Sequence, residues 1–227
     1  MPSEHDALQQ QIVKAANKVA DSGILTKSFH GNISLLVPGT QTFLLTAVSN
    51  LREITADGIA HFDMDGKFLG GSVAPVSAEI VGMHAVVYRK RPGSGAVLHT
   101  HSPFATAFAV ASRALPVAYE PLVRFGFNDG VPVAGYGPRG SQESVENITK
   151  VLDQPGTGRG LLLENHGVLT FGEVIAEAIQ ANMVIEESAE IIMNAGLLGG
   201  AKEIPAGKRG AAQARMAQFA ADGVRKA

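Results

Sequence analysis

A hairpin signature near the start of the chain sets the strongest limit on its fold. Ile33 to Val37 and Thr42 to Val48 read as two strands, and Pro38-Gly39 lies in the gap between them. Proline presets φ and glycine accepts positive φ, the chemistry of a type II turn. Strands joined this way run antiparallel, which excludes a purely parallel doubly wound sheet. A second turn, Asp63-Met64-Asp65-Gly66, is expected to join two more short strands. Helical patterns alternate with these segments. Residues 4–22 place Leu8, Ile12, Ala16 and Val19 on one face, with Ser3 and Asp6 at capping-box spacing and Gly23 as the stop. A second helix is expected from near Ser77 to just before Pro92. Gly95 to His101 reads as a strand, followed by Ser102 and Pro103 as N-cap and first residue of a third helix. Val131 to Tyr136 reads as a strand, and Ser141 as the cap of a fourth helix running to about Leu152. Residues 160–171 form an apolar strand region broken at Glu164-Asn165-His166-Gly167, and a long helix runs from about Glu173 to Ala195. The expectation is one mixed α/β domain over residues 1–200. Residues 201–227 form a tail, read as a loosely attached helix or a partly disordered segment.

Composition narrows the chemistry. With 227 residues, 45% of them hydrophobic, the chain can bury one sizeable core. A net charge of −2 gives no electrostatic case for nucleic acid or an anionic membrane surface. No cysteine is present, so disulfides, thiolate metal sites and cysteine nucleophiles are excluded. Any bound metal must use imidazole, carboxylate, carbonyl or water. The acidic N-terminus lacks the order of a signal peptide, and no apolar run reaches the ~20 residues of a bilayer span, so cytoplasmic residence is expected.

His99-Thr100-His101 is the sharpest chemical feature. Side chains alternate along a strand, so both imidazoles point to one face, roughly 6.6 Å apart by the rise per residue. His-X-His is a weak signal by itself. It gains weight here because the pair ends an apolar strand and abuts a helix start, and because His166 has a similar context. Three neutral imidazoles with an open coordination position would make a catalytic metal site. Glu79, expected near the second residue of a helix, is the acid/base candidate, although a carboxylate there also complements the helix dipole. In His30-Gly31-Asn32-Ile33-Ser34, Gly31 permits close backbone approach, while Asn32 and Ser34 can donate hydrogen bonds to an oxygen-rich substrate. His5, His30, His61 and His84 are read as surface, turn or packing residues.

Four motifs in order, Gly31-Asn32-Ile33-Ser34, Ser77-Ala78-Glu79, His99-Thr100-His101-Ser102-Pro103 and Glu164-Asn165-His166-Gly167-Val168-Leu169, resemble the class II aldolase/adducin head family over roughly Leu8 to Gly196. The resemblance implies a three-layer α/β/α fold around a mainly antiparallel sheet. It also implies a homotetramer with interface active sites, and a divalent metal on His99, His101 and His166, foremost zinc, with manganese or cobalt as alternatives. A carboxylate matching Glu79 and a tyrosine about where Tyr119 falls would move protons, and Gly31, Asn32, Ser34 and Ser77 would bind substrate. Arg124, Arg139 and Ser141 fall in a region that could face it, although solvated surface positions are the favoured reading of all three.

Departures from the family pattern shape the expected substrate. Ala47-Val48-Ser49-Asn50 lacks a glycine, and Ser77-Ala78 lacks one hydroxyl, so two of three phosphate-binding elements are weakened. A small hydroxy-carbonyl or hydroxy-acid without phosphate is therefore expected. Glu79 precedes His84 by five positions where the family spacing is four, and the tail contains no tyrosine. The leading expectation is a carbon–carbon lyase whose retro-aldol cleavage leaves an enediolate stabilised by the metal. Decarboxylation of a hydroxy-aromatic or keto acid and a sugar-phosphate aldolase or epimerase are alternatives. A non-catalytic adducin-like domain fits poorly with retention of the three histidines.

Overall fold

The computed structural model describes residues 4–72 and 79–222. Eight strands form one mixed sheet in the order β4-β3-β2-β1-β5-β8-β7-β6. Every neighbouring pair is antiparallel except β6 and β7. The expected hairpin is formed by β1 (Gly31–Leu36) and β2 (Thr42–Thr46), with Leu35 opposite Leu44. Gly39 sits at φ +70° in the turn, as a type II turn demands. Strands β3 (Ile59–Asp63) and β4 (Phe68–Gly71) flank the second expected turn. The middle of the sheet is β5 (Ala96–Thr100), which pairs with β1 on one side and with β8 (Gly167–Gly172) on the other. Beyond β8 lie β7 (Gly160–Leu163) and the short β6 (Val133–Ala134).

Alternation along the strands builds two cores. On one face Phe43, Leu45, Val97, Leu161 and Leu169 pack beneath α2 (Val81–Lys90) and α5 (Gln142–Leu152). On the other face Ile33, Leu35, Leu44 and Leu98 meet α1 (Glu4–Asp21) and α6 (Ile175–Gly196). Farther along that face Leu162 and Val168 meet α3 (Pro103–Val110) and α6. Helices thus cover both faces of a mainly antiparallel sheet, the three-layer arrangement expected. Helix α4 (Glu120–Arg124) leads back toward β6, and α7 (Ala206–Asp222) follows α6. The start of α7 and the residues before it are tied down, because Ile204 N–H donates to Val117 C=O at 2.7 Å and Arg209, in the first turn of α7, reaches Asn128 C=O.

Two local expectations are corrected and a third is refined. Helix α2 begins at Val81, so Glu79 stands in the preceding turn and not at the second helical position. Ile80 and Val81 are both buried, and the helix starts as the chain enters the core, leaving the charged Glu79 outside. The expected start at Ser77 lies outside the described residues. The strand expected over 131–136 shrinks to Val133–Ala134. Pro132 has no N–H for a ladder, Val131 pairs with Leu115, and the Tyr136 N–H goes to the Glu164 carboxylate at 2.6 Å. Ser102 and Pro103 take the expected N-cap and first helical positions of α3, but the Ser102 side chain makes no capping hydrogen bond. Its hydroxyl donates to Asn182 Oδ1 at 3.0 Å, and the α3 N-terminus is capped from α6, where the Glu186 carboxylate accepts from Phe104 N and Ala105 N at 2.9 and 2.8 Å.

Candidate metal centre and substrate pocket

His99 follows Val97 by two residues on β5, so it lies on the α2/α5 face of the sheet. It stands opposite Asn32 of β1 and Leu169 of β8. His101 continues the same parity just past the strand end. His166 reaches the same point from the β7–β8 connection. There the chain reverses through a turn in which His166 N–H donates to Leu163 C=O at 3.0 Å and Asn165 takes φ +56°. Asparagine tolerates that left-handed conformation better than most residues. Gly167 completes the arrangement. A Cβ there would press on the Thr100 carbonyl and stand 3.1 Å from His101 Cδ2 and 3.2 Å from His99 Cε1. The residue after His166 must therefore lack a side chain for the rings to converge.

One nitrogen from each of His99, His101 and His166 lies within 4.8 Å of the others, and these three form the one such cluster of potential ligands found among the described residues. His99 Nδ1 donates to the Val168 carbonyl at 2.9 Å, which fixes the tautomer and leaves the Nε2 lone pair for a cation. Burial, then the neighbouring imidazoles, hold His99 well below the usual histidine pKa. Burial first, then His166, His30 and Arg139, push His101 down to about 4. His166 is lowered by burial and by Arg139. Neutral imidazoles this close to one another suit a divalent metal, and the donor set fits.

The pocket over the triad is lined by His30, Gly31, Asn32, Ser49, Ile80 and Arg139 together with the three histidines. His30, read from sequence as a turn residue, packs edge-to-face on His101 with centroids 5.6 Å apart. Its place just before the strand carrying Asn32 was the available signal. Gly31 is explained by packing: a Cβ would lie 2.8 Å from both the His99 carbonyl oxygen and Leu51 Cδ1. Its N–H donates to Ser49 C=O at 2.9 Å. Asn32 is buried, and its Oδ1 takes a hydrogen bond from His84 Nε2 at 2.6 Å. Ser34 lies deeper, bonded to His84 Nδ1 and Tyr88 Oη, and does not line the pocket.

The other candidates divide. Glu79 lines an adjoining cleft that shares Ile80, Arg139 and His166 with the pocket, and pairs with Arg139 at 3.5 Å. Tyr119 is half-buried against α6, where its hydroxyl donates to Glu187 at 3.4 Å, and it does not line the pocket. Arg139 faces the histidines. Ser141 caps α5 by accepting from Ser144 N, and Arg124 pairs with Glu120 on the surface. Ser77 lies outside the described residues. No helix among the described residues is long and apolar enough to cross a membrane.

Known proteins place this geometry in context. Residues 10–193 match the class II aldolase and adducin N-terminal domain family. An L-fuculose phosphate aldolase of Methanococcus maripaludis is 30% identical over 170 residues, covering 72% of this chain and 86% of the relative. A 3-oxo-tetronate 4-phosphate decarboxylase of Haemophilus influenzae is 29% identical over 167 residues, covering 71% of this chain and 75% of the relative. The solved structure of an L-fuculose 1-phosphate aldolase superimposes with a TM-score of 0.84 at 25% identity, over 94% of this chain and 97% of that one. Both relatives and the solved structure are named for phosphorylated substrates, so the expectation of a phosphate-free substrate finds no support. The sheet, the converging histidines and the family match agree, and the chain belongs to the class II aldolase and adducin N-terminal domain family as an enzyme of the class II aldolase type.

Proposed function

We propose that this chain is a metal-dependent carbon–carbon lyase that performs retro-aldol cleavage of a small hydroxy-carbonyl substrate bearing an anionic group, with phosphate the favoured anion. The observation that carries this reading is the convergence of three neutral imidazoles at one side of a pocket that Asn32 and Arg139 also line. His99, His101 and His166 would hold the metal. Zinc fits nitrogen donors of this number best, and manganese or cobalt accept the same set. Such a cation supplies Lewis-acid stabilisation of the negative charge that develops as the carbon–carbon bond breaks. The chain's own residues do the rest. Arg139 offers a guanidinium to an anionic group at the pocket wall, and Asn32 offers its amide to a substrate oxygen. Glu79, held beside the pocket by Arg139, is the candidate to move a proton once substrate takes over the arginine. Tyr119 would act only on a site other than its own chain's pocket, as it would in a homotetramer with active sites at subunit interfaces. That assembly, and a cytoplasmic location, belong to the same reading.

The test is a metal-content measurement joined to a product screen. The metal-loaded chain should release an aldehyde from L-fuculose phosphate or a related phosphorylated ketose, and His166→Ala should lose metal and activity together. Activity undiminished in metal-free protein would overturn the reading. Decarboxylation is the second reading, favoured by the likeness to the 3-oxo-tetronate 4-phosphate decarboxylase. Carbon dioxide release from that compound, without aldehyde release from the ketoses, would select it.

A further inference from the structure

From the pocket wall inward runs a chain of four buried polar side chains, of which the proposed reaction uses only Asn32. Helix α2 carries His84 and Tyr88, one turn apart, and β1 carries Asn32 and Ser34, two residues apart on one face. These spacings bring the pairs into register. Tyr88 Oη and Ser34 Oγ are 2.7 Å apart, Ser34 Oγ and His84 Nδ1 are 2.7 Å apart, and His84 Nε2 and Asn32 Oδ1 are 2.6 Å apart. Ser34 and His84 have no exposure at all, and Asn32 and Tyr88 have 4% and 6%.

Such a chain can run in two senses, and one end selects between them. A phenol has one hydrogen to donate, and the hydroxyl of Tyr88 makes no other hydrogen bond among the described residues. If Ser34 donated to Tyr88, the phenolic hydrogen would be buried without an acceptor, a substantial desolvation cost. Tyr88 therefore donates to Ser34, and Ser34 donates to His84 Nδ1. His84 must then carry its hydrogen on Nε2, which donates to Asn32 Oδ1. Burial keeps His84 neutral, with its pKa pushed down to about 3, and keeps the Tyr88 phenol protonated. The Asn32 carboxamide is thereby oriented with its oxygen inward. Its NH2 group makes no hydrogen bond among the described residues and is left to the pocket that Asn32 lines.

We propose that His84 is a positioning residue, polarised by Tyr88 through Ser34, that locks Asn32 as a hydrogen-bond donor toward the pocket and so selects substrates presenting an acceptor oxygen there. A free carboxamide could flip and offer an oxygen, which would repel a phosphate or carboxylate. The locked one cannot without stranding a buried hydrogen. This assignment rests on reading the pocket as the substrate site.

Long-range 1H–15N spectra of the metal-loaded full chain, labelled at histidine, test the hydrogen sense without any substrate. His84 should appear as the Nε2–H tautomer alone. In Ser34→Ala the Nε2–H form should persist, because the other tautomer would bury an Nδ1–H without an acceptor, and the bare Nδ1 resonance should move downfield as it loses its donor. Titration calorimetry with inorganic phosphate tests the consequence. Relative to the unaltered chain, His84→Phe, which removes the donor that holds Asn32 Oδ1, should weaken phosphate binding about ten-fold, the loss of one well-placed hydrogen bond, with metal content unchanged. Tyr88→Phe leaves the Ser34 hydrogen with His84 Nδ1 as its acceptor, so the Nε2–H form should persist with a smaller loss. Asn32→Asp keeps the acceptor for His84 but turns an anionic oxygen to the pocket, and should abolish phosphate binding. On a turned-over substrate, His84→Phe should raise KM with little change in kcat, whereas damage to folding alone would lower thermal stability and leave KM unchanged. An Nδ1–H tautomer in the unaltered chain, no phosphate binding by it, or unchanged binding in His84→Phe would overturn the proposal. Absence of carbon–carbon cleavage with the tautomer and phosphate results as expected would instead overturn the lyase reading.

Discussion

At the scale of single residues, glycine matters here through the atoms it withholds. Gly31 lets β1 approach the His99 carbonyl, and Gly167 lets the rings of His99 and His101 close beside His166. Neither role requires positive φ, since neither residue adopts it. Gly167→Ala should therefore act on the metal centre before it acts on the fold. The added methyl must displace the Thr100 carbonyl or rotate a ligand ring. Overpacking of this kind costs about 1–3 kcal/mol. We expect a folded variant whose metal content after dialysis falls well below that of the unaltered chain. Full metal content would show that the rings adjust freely and that the glycine serves only the strand pairing.

Secondary-structure elements show which contacts a sequence announces and which it hides. The β1–β2 hairpin was legible because proline and glycine impose the turn locally. The triad was legible for a similar reason: strand alternation sets His99 beside His101, and a strand-end motif holds His166. The cap of α3 was not legible. Ser102 has the right residue type in the right place, but Asn182, 80 residues away, takes its hydroxyl, and Glu186 does the capping. Likewise, the sense of the Asn32 amide depends on Tyr88, visible only once α2 is laid over β1. The β7–β8 turn is an element whose local requirement can be measured. Asn165 at φ +56° precedes a metal-ligand candidate in a reversal only a few residues long. Asn165→Gly should be nearly neutral or mildly stabilising in urea unfolding, because glycine adopts that φ without strain. Asn165→Ala should lose about 1 kcal/mol, the order of the left-handed penalty for an L-residue with a Cβ. Equal stability of the two variants would mean that the turn relaxes to another conformation.

For the molecule as a whole, the metal centre should act as a clasp and not as a core. The three histidines come from the end of β5 and the β7–β8 turn, at the rim of a sheet whose two faces are already filled by apolar side chains. The ligands are neutral and pre-aimed, so their convergence is built by the protein fold before any cation arrives. Family membership made this arrangement predictable in outline, yet Glu79 stands in a turn outside α2, where the five-residue spacing to His84 leaves it paired with Arg139. From this layout the effect of metal removal can be worked out. A cation that binds the folded chain and not the unfolded one adds about 4 kcal/mol at a free concentration near a thousand times its Kd. At the usual ~2–4 °C per kcal/mol for a chain of this size, chelation should lower Tm by roughly 8–16 °C. The far-UV circular dichroism of the chelated protein at room temperature should remain that of the loaded one, because neither face of the sheet depends on the ion. Loss of secondary structure on chelation would make the metal a condition of folding. An unchanged Tm together with zero bound metal would remove the cation from the site altogether.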